Sequence, residues 1–328
     1  MVRAVVCRDR GEPESLVISD LPSAPVGPGQ VRIAVHAAGI NFADTLIVAG
    51  TYQERPALPF VPGFELAGVV SEIGQDQRLR LRLGDRVMAV IGHGAFADEV
   101  VVDVRDVYPI PDSMDFVTAA GFAIAYGTAH LALVAQARLR SGEVLVVHGA
   151  AGGVGLTAVE VGKALGATVI ATASTPERLA IAAGRGADFG IDYGREDVKT
   201  RVRELTAGRG ADVIYDPIGG EIFEASLRCT AWGGRILIVG FAGGRVPQIP
   251  ANLLLVKNIS AVGFYWGSYQ RHAPDLVAGS FRRLFDWYEK GQLRPLVSQH
   301  FDLASVAEGL RLLKERQATG KVVLTTGR

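Results

Sequence analysis

The stretch Val144–Gly155, VLVVHGAAGGVG, carries the most informative pattern in the sequence. A run of aliphatic residues leads to Gly149, from which glycine recurs at Gly152 and Gly155. The next segment, LTAVEVGKALGA, is small and apolar, as a helix packed against a sheet requires. This order predicts a strand, a glycine turn and a helix. In such a unit the backbone approaches a pyrophosphate closely, and free amide N–H groups at the helix N-terminus hold its charge.

The spacing of these glycines departs from the GxGxxG pattern of dinucleotide sites, so the turn alone leaves two interpretations open. It is either a phosphate-binding turn or a tight connection between strand and helix that binds no ligand. The surrounding pattern has to decide between them. The residues predicted to line the cofactor here are Gly149, Gly152, Gly153, Val154 and Gly155.

Composition limits the classes of function that fit the chain. Its 328 residues, 48% of them hydrophobic, are enough for two domains of ordinary size. Lys plus Arg and Asp plus Glu number 34 each, so no net charge attracts nucleic acid or an anionic membrane. We therefore expect neither as a partner, and we expect a small-molecule substrate instead.

The cysteines and the N-terminus indicate a cytoplasmic protein. Cys7 and Cys229 are the two cysteines, neither has a companion at CxxC or metal-ligand spacing, and both are predicted to be buried. Such usage is typical of a reducing compartment. Early charges such as Arg3 and Arg8 interrupt any signal peptide, and no run reaches the roughly 20 apolar residues of a membrane span.

The pattern of predicted strands and helices changes near residue 115. Before it, short apolar or alternating runs are broken by Gly and Pro, which predicts an antiparallel β-rich domain. From there to about residue 266, strands alternate with helical stretches, which is typical of an α/β protein with a doubly wound parallel sheet. This alternation favours the phosphate-binding interpretation of the glycine turn. The tail, ending in KVVLTT, is predicted to return to the first domain.

The end of the second strand of the alternating region bears on the choice of cofactor. An NAD site usually carries an acidic residue there, which binds the ribose hydroxyls and repels a 2′-phosphate. This strand, ATVIATAS, ends instead at Ser174, and Arg178 follows in the next helix. A hydroxyl and an arginine favour NADPH. The alternative is that Arg178 is a solvated helix residue.

Several segments together resemble the medium-chain dehydrogenase/reductase superfamily, and more narrowly its zinc-free quinone oxidoreductase, or zeta-crystallin-like, branch. They are AGINFADTLIVAGTY, PFVPGFELAGVVSEIG, GDRVMA, VHGAAGGVG, GADFGIDY, VIYDPIGG and KNISAVGFYWG. The resemblance implies a β-rich, GroES-like catalytic domain over residues 1–120 and 267–328. It also implies a Rossmann dinucleotide-binding domain over residues 121–266.

Within that superfamily, the zinc-dependent alcohol dehydrogenases bind zinc through a cysteine after the strand matching VRIAVHAAGI and through the histidine of a GHE motif. This chain has Asn41 in the first region and Phe64 in the second, and no cysteine lies between Cys7 and Cys229. Zinc needs three or four N, S or O ligands, so we expect no metal. Without a Lewis acid, hydride from NADPH suits an acceptor that is already electrophilic, such as a quinone or a conjugated alkene.

The resemblance places the substrate beside NFADTLIVAGTY. Asn41 is then expected to orient a carbonyl or the nicotinamide ribose, Asp44 to organise the loop, and Tyr52 to donate its hydroxyl or stack on a flat ring. The alternatives are a turn and a helix cap for Asn41 and Asp44, and a half-buried aromatic for Tyr52. The histidines are predicted to be structural: His36, His93 and His130.

The resemblance also carries over further cofactor contacts. Thr128 corresponds to a threonine that borders the nicotinamide, and Tyr193 to a tyrosine near the adenosine phosphate. Phe241 and Phe264 lie where loops at strand ends cover the nicotinamide. Arg316, before the ATGKVVL ending, is expected to reach the 2′-phosphate.

The leading hypothesis is therefore an NADPH-dependent, zinc-independent quinone oxidoreductase. One alternative is an enoyl or alkenal reductase of the same superfamily, acting for example on 2-enoyl thioesters. Another is a non-catalytic NADPH-binding protein, crystallin-like or in contact with RNA. The apolar segment 259–266 is predicted to form the sheet edge that pairs across a two-fold axis in a homodimer.

Overall fold

The computed structural model describes residues 1–75 and 81–328. These residues form two compact units, Met1–Ile124 with Pro295–Arg328 and Ala125–Arg294. The C-terminal segment thus belongs with the N-terminal half of the chain. Within the described residues, no helix combines the length and the apolarity needed to cross a membrane.

The first unit is built mainly of short strands, as the Gly- and Pro-broken pattern predicts. Its helices are α1 Phe42–Ala49 and α2 Phe116–Ala120, and α11 Val306–Lys314 follows in the C-terminal return. The strands are β1 Val2–Val6, β2 Val17–Leu21, β3 Gln30–Ile40, β4 Glu65–Ile73, β5 Arg86–Val90, β6 Glu99–Asp103 and β7 Val107–Pro109, with β14 Val297–Asp302 and β15 Lys321–Thr325 at the end.

One seven-stranded sheet organises this unit. Its order is β14-β15-β3-β4-β5-β7, and β6 also pairs with β3. Every pair in it is antiparallel except β14 with β15. The inward residues of β3, such as Ile33 and Val35, pack in one core with Leu66, Leu310 and Val322. The C-terminal return therefore completes the core of the first unit.

The second unit alternates strands and helices from residue 125 onward. Helix α3, Ala123–Leu131, leads into it and continues as a π-helical turn, Ala132–Gln136. The other elements are β8 Val144–Val147, α4 Gly153–Ala164, β9 Thr168–Ala173, α5 Pro176–Gly184, β10 Phe189–Asp192, α6 Val198–Leu205, β11 Ala211–Asp216, α7 Gly220–Cys229, β12 Thr230–Ile238, α8 Ala251–Lys257, β13 Ser260–Gly263, α9 Trp266–His272 and α10 Pro274–Glu289.

The six strands form one parallel sheet in the order β10-β9-β8-β11-β12-β13. All four residues of β8 are buried, as expected for a central parallel strand covered on both faces. The strand order reverses between β8 and β11, and ligands of such sheets bind outside the carboxyl ends of the strands at this point. The predicted α/β class with a doubly wound sheet is confirmed.

Two elements differ from the sequence-based prediction. The run TAAGFAIAYGTAHLALVAQA, residues 118–137, predicts a single helix, but α2 ends at Ala120 and α3 begins at Ala123. The side chain of Lys321 on β15 packs beside this break, 3.1 Å from the position that a Cβ on Gly121 would occupy. The edge strand expected over residues 259–266 is limited to Ser260–Gly263, since α9 begins at Trp266.

The compact units also divide the chain differently from the domain boundaries expected at residues 120 and 266. The second unit extends to Arg294, so residues 267–294 lie in it. The reason is α10, which buries its apolar face there. The ring of Phe281 lies 6.2 Å from that of Trp266, and Ser280 Oγ is 2.9 Å from His130 Nδ1.

Candidate active site

The glycine turn between β8 and α4 has glycine at the positions where two parts of its backbone come close together. Gly149 has a left-handed φ of 59°, which costs glycine little. A Cβ added at Gly155 would lie 2.1 Å from Gly149 O, so no other residue fits there. Gly152 precedes α4 without a side-chain cap. The first N–H groups of this 12-residue helix, from Gly153 and Val154 onward, thus remain available to an anion.

The end of β9 brings together two of the residues predicted to bind the cofactor. Ser174 follows the strand and is exposed. Tyr193 N–H donates to Ala173 O at 3.1 Å, which holds the loop after β10 beside the end of β9. Arg178 lies in the first turn of α5, where its N–H faces the Oγ1 of Thr175 at 3.4 Å.

Sequence reasoning missed Arg195, a cation on the same loop. Its side chain is 75% exposed, and its Nε lies 3.5 Å from Asp192 Oδ2 at the end of β10. Hydrogen bonding from Thr175 and the nearby charge of Arg195 lower the pKa of Glu177. The charge of Arg195 therefore acts on the first turn of α5. The signal was present in IDYGRE, since the arginine follows Tyr193 by two residues.

The remaining cofactor candidates are spread over both units. Thr128 is buried on α3. Phe241 follows β12, and its ring lies 3.1 Å from the position of a Cβ on Gly219. Phe264 follows β13, is buried, and packs 5.3 Å from the ring of Tyr269. Arg316 lies in the first unit, whereas all the other cofactor candidates lie in the second.

Asn41 and Asp44, the candidates beside the substrate, lie at the start of α1. Asp44 Oδ2 accepts the N–H of Asn41 at 2.8 Å, and the N–H of Asp44 donates to the backbone oxygen of Asn41 at 3.0 Å. The Asp44 side chain is completely buried, and this burial raises its pKa to about 8, although the Asn41 hydrogen bond and the charge of Lys321 oppose the shift. A proton on Asp44 near neutral pH follows from this environment.

The side chain of Asn41 is held by two ionisable residues that sequence reasoning missed. Asn41 Nδ2 donates to Glu65 Oε1 at 2.8 Å, and Asn41 Oδ1 accepts from Lys321 Nζ at 2.7 Å. Lys321 and Glu65 also form a buried ion pair at 2.8 Å. Their signal in the sequence is an ionisable residue directly before a buried apolar run, in ELAGVV and in KVVLTT.

Tyr52 is half-buried in a small apolar cluster of the first unit. Its ring lies 5.7 Å from that of Phe64, and the cluster includes Ile47, Val48 and Phe60. The cluster joins the end of α1 to the segment that precedes β4. Tyr52 therefore shares the loop region of Asn41 while packing like a structural aromatic residue.

The three histidines expected to be structural make packing contacts. His36 stacks on Phe116 with ring centroids 4.2 Å apart, and His93 meets the ring of Phe60 edge-on at 6.0 Å. His130 bonds to Ser280, and its burial lowers its pKa to about 4, so the ring is neutral at neutral pH. A fourth histidine, His148, is buried within the glycine-turn segment itself.

The residues at the positions where the zinc-dependent enzymes bind their metal do not suit a metal in this chain. Phe64 has no donor atom, and the Glu65 carboxylate is already engaged by Lys321, Asn41 and the N–H of Ile124. Across residues 1–75 and 81–328, no three His, Cys, Asp or Glu side chains come together as a metal site. A zinc site requires at least three such ligands.

Comparisons with known proteins agree with this architecture. The family model for the alcohol dehydrogenase GroES-like domain matches residues 27–112, and the model described as zinc-binding dehydrogenase matches residues 153–281. The quinone oxidoreductase-like protein 2 homolog of Nematostella vectensis is 46% identical, over 99% of this chain and 89% of that protein.

Solved structures show the same similarity. The quinone oxidoreductase of Pseudomonas syringae pv. tomato DC3000 superposes with a TM-score of 0.93 at 33% identity, over 99% of this chain and 100% of that one. The Escherichia coli quinone oxidoreductase complexed with NADPH gives a TM-score of 0.92 at 28% identity, with 99% and 100% coverage.

These findings define the chain first as a two-unit oxidoreductase with a GroES-like domain and a Rossmann-like parallel sheet. It belongs to the medium-chain dehydrogenase/reductase superfamily, among the quinone oxidoreductase-like proteins.

Proposed function

We propose that the chain is an NADPH-dependent oxidoreductase that transfers hydride to a quinone or a related conjugated carbonyl compound without zinc. The observation that carries the proposal is the combination of a glycine turn that admits no Cβ at Gly155 with a β9 end that offers Ser174 in place of a carboxylate. The complex of the E. coli relative with NADPH supports this choice of cofactor.

The protein residues then have separate tasks. The turn from Gly149 to Gly155 and the N-terminus of α4 would hold the pyrophosphate. Ser174, Arg178 and Tyr193 would bind the 2′-phosphate, and we add Arg195 to this set. Thr128, Phe241 and Phe264 would border the nicotinamide, and Arg316 is a further candidate for the phosphate. When bound, NADPH would supply the hydride.

The reaction balances without a metal. A quinone that accepts one hydride and one proton becomes a hydroquinone, and NADPH becomes NADP⁺. The donor set supports zinc independence, because Phe64 and the engaged Glu65 offer no open ligand set. Asn41 and Tyr52 are the side chains that we propose beside the acceptor, and the buried Asp44 organises their loop.

The test is consumption of NADPH, followed by its absorbance, with 1,4-benzoquinone or a naphthoquinone as acceptor. Turnover with quinones supports the proposal. Turnover with enones or crotonyl-type thioesters but with no quinone would identify an enoyl or alkenal reductase. Tight NADPH binding without any turnover would identify a non-catalytic nucleotide-binding protein. The two free, buried cysteines support a reducing, cytoplasmic setting for the assay and for the protein.

A further inference from the structure

The amide of Asn41 has one chemically permitted orientation. A lysine ammonium only donates hydrogen bonds and a carboxylate only accepts them. Asn41 Oδ1 therefore faces Lys321, at 2.7 Å, and Nδ2 faces Glu65, at 2.8 Å. The second Nδ2 hydrogen is directed at Gly39 O, 3.5 Å away. A flipped amide would place N–H groups against the ammonium, so this orientation does not depend on how the atoms were assigned.

Lys321 is itself fully engaged. Its ammonium donates to Ile40 O at 2.9 Å, to Asn41 Oδ1 at 2.7 Å and to Glu65 Oε1 at 2.8 Å. These acceptors belong to the end of β3, the start of α1 and the start of β4. The three ammonium hydrogens thus join three segments of the first unit at one point.

Glu65 is held equally closely. Its Oε2 accepts the N–H of Ile124, in the first turn of α3, at 2.8 Å. A Cβ at Gly39 would lie 2.4 Å from Glu65 Oε1 and 2.2 Å from Ala120 O, so glycine is needed for the carboxylate to fit. Glu65 is 0% exposed, whereas Asn41 is 9% exposed and is the most accessible member of the cluster.

In this geometry, the position of the Asn41 amide that is still open to a ligand is a hydrogen-bond acceptor, on Oδ1, rather than a donor. Both Nδ2 hydrogens are directed at protein oxygens, while Oδ1 accepts one of the two hydrogen bonds that an amide oxygen can take. We propose that Lys321 and Glu65 are positioning residues, which hold Asn41 so that its amide oxygen binds a hydroxyl group of the cofactor or of the reduced acceptor. The proposal rests on the proposed function and assigns Asn41 to a hydroxyl instead of a carbonyl.

A double-mutant cycle tests whether Lys321 acts through Asn41. The variants are Asn41→Ala, Lys321→Met and the two combined, and the readout is kcat/KM with the acceptor that the wild type reduces. Each single variant is expected to lose roughly 10- to 100-fold, as is typical when the partner of a working group is removed. The combined variant should be no worse than the poorer single one. Losses that multiply would overturn the proposal.

A variant in which both Glu65 and Lys321 are replaced by apolar residues separates an effect on the position of Asn41 from an effect on stability. Replacing both partners of a buried ion pair by apolar residues often preserves stability. Glu65→Leu combined with Lys321→Met should therefore keep a Tm close to that of the wild type while kcat/KM stays low. Recovery of activity together with Tm would show a merely structural role. The matched control is Lys163→Met, which breaks a half-exposed ion pair with Asp188 and should leave kcat/KM unchanged.

The source of the hydroxyl is distinguished by two binding measurements. If the ribose of the cofactor donates, Asn41→Ala and Lys321→Met raise the Kd for NADPH in the absence of acceptor. If the reduced acceptor donates, the Kd for NADPH is unchanged and inhibition by the hydroquinone product weakens. If neither of these two changes occurred, the result would contradict a hydroxyl partner for Asn41.

A measurement independent of turnover keeps the inference separate from the proposed reaction. Absence of turnover in the wild type with every acceptor would reject the proposed function alone. The side-chain amide of Asn41, observed by ¹⁵N NMR, should still show two distinct hydrogens that exchange slowly with water. In Lys321→Met, the two hydrogens should give a single averaged signal or exchange faster with water. Identical amide spectra in the two proteins would overturn the positioning role.

Discussion

At the scale of single residues, we propose that Ser174 and Arg178 determine which nucleotide is preferred. A carboxylate at the end of β9 would repel a 2′-phosphate, and an arginine would attract one. We predict that Ser174→Asp and Arg178→Ala each lower the ratio of kcat/KM for NADPH to that for NADH by about tenfold or more, since a hydrogen bond to a charged group contributes about 1.5–3 kcal/mol.

The control for this prediction is Arg282→Ala, which removes an exposed arginine from α10. Its cofactor ratio should match that of the wild type. An unchanged ratio in both Ser174→Asp and Arg178→Ala would show that the 2′-phosphate is bound elsewhere. Arg195 would then be the next residue to replace.

The raised pKa of Asp44 leads to a prediction about how the free energy of unfolding depends on pH. Its pKa is about 8 in the folded chain, because of burial, and about 3.9 in an unfolded one. The folded state therefore binds a proton that the unfolded state lacks between these values, so the free energy of unfolding falls as pH rises from about 4 to 8. Glu65 and Lys321 face the same carboxyl group.

Asp44→Asn keeps an oxygen for the Asn41 N–H but cannot ionise. We predict that its Tm, relative to the wild type, increases steadily from pH 5 to pH 8. Asp103→Asn provides the contrast, because the Arg105 guanidinium lowers the pKa of Asp103. The ionised Asp103 stabilises the fold throughout pH 5 to 8, so the Tm difference for Asp103→Asn should stay constant over this range and shrink only at more acidic pH. A Tm difference for Asp44→Asn that does not vary with pH would show that Asp44 is ionised throughout.

At the scale of elements, the strand, turn and helix around Gly149 could be predicted almost completely. Gly166 follows α4 and has a left-handed φ of 82°, which is typical of a glycine that ends a helix. Pro176 is the first residue of α5, a position that proline favours. These features are local, since they depend on φ values and on hydrogen bonds between near neighbours.

The turn leads to a prediction with an internal control. Gly155→Ala places a Cβ 2.1 Å from Gly149 O and 2.8 Å from Gly149 C, both backbone atoms. We expect a loss of about 1–3 kcal/mol or more in the free energy of unfolding and weaker NADPH binding. Chemical denaturation and a fluorescence titration measure the two effects.

Gly279→Ala in α10 is the matched control. Its added Cβ would meet only Arg282 Nη2, at 3.9 Å. Alanine in a helix interior should raise the free energy of unfolding by about 0.5–1 kcal/mol. Equal effects of the two substitutions would contradict a close approach at Gly155.

Other elements could not be predicted from local pattern. The run over residues 118–137 is continuously helical in composition, yet Gly121 and Phe122 separate α2 from α3. Lys321 approaches Gly121 from the other end of the chain. The break thus lies at a contact between segments that are distant in sequence, and a local period of 3.6 residues does not record such a contact.

At the scale of the whole molecule, the edge of the parallel sheet predicts a homodimer. β13, Ser260–Gly263, is the last strand of the sheet order. Just before it, α8 leaves Leu255 75% and Val256 66% exposed. A strand at the edge of a sheet, beside exposed apolar side chains, favours pairing with a second copy. We predict a sedimenting mass twice that of the single chain.

Leu255→Glu combined with Val256→Glu should shift this species toward the monomer, because two carboxylates would be buried in the interface. Leu276→Glu, an equally simple change at a 52% exposed residue of α10, should leave the mass unchanged. A monomeric wild type would reject the pairing, while dissociation of the Leu276 variant would move the interface to α10.

Residue type and local spacing were enough to predict the α/β class, the glycine turn and the lack of cysteine ligands where zinc enzymes have them. The hydrogen-bond partners of the Asn41 side chain could be identified only in the folded chain. Glu65 and Lys321 are separated by 256 positions, and the antiparallel pairing of β15 with β3 and of β3 with β4 brings them together. Buried charges need partners, and the partner here is supplied by the fold.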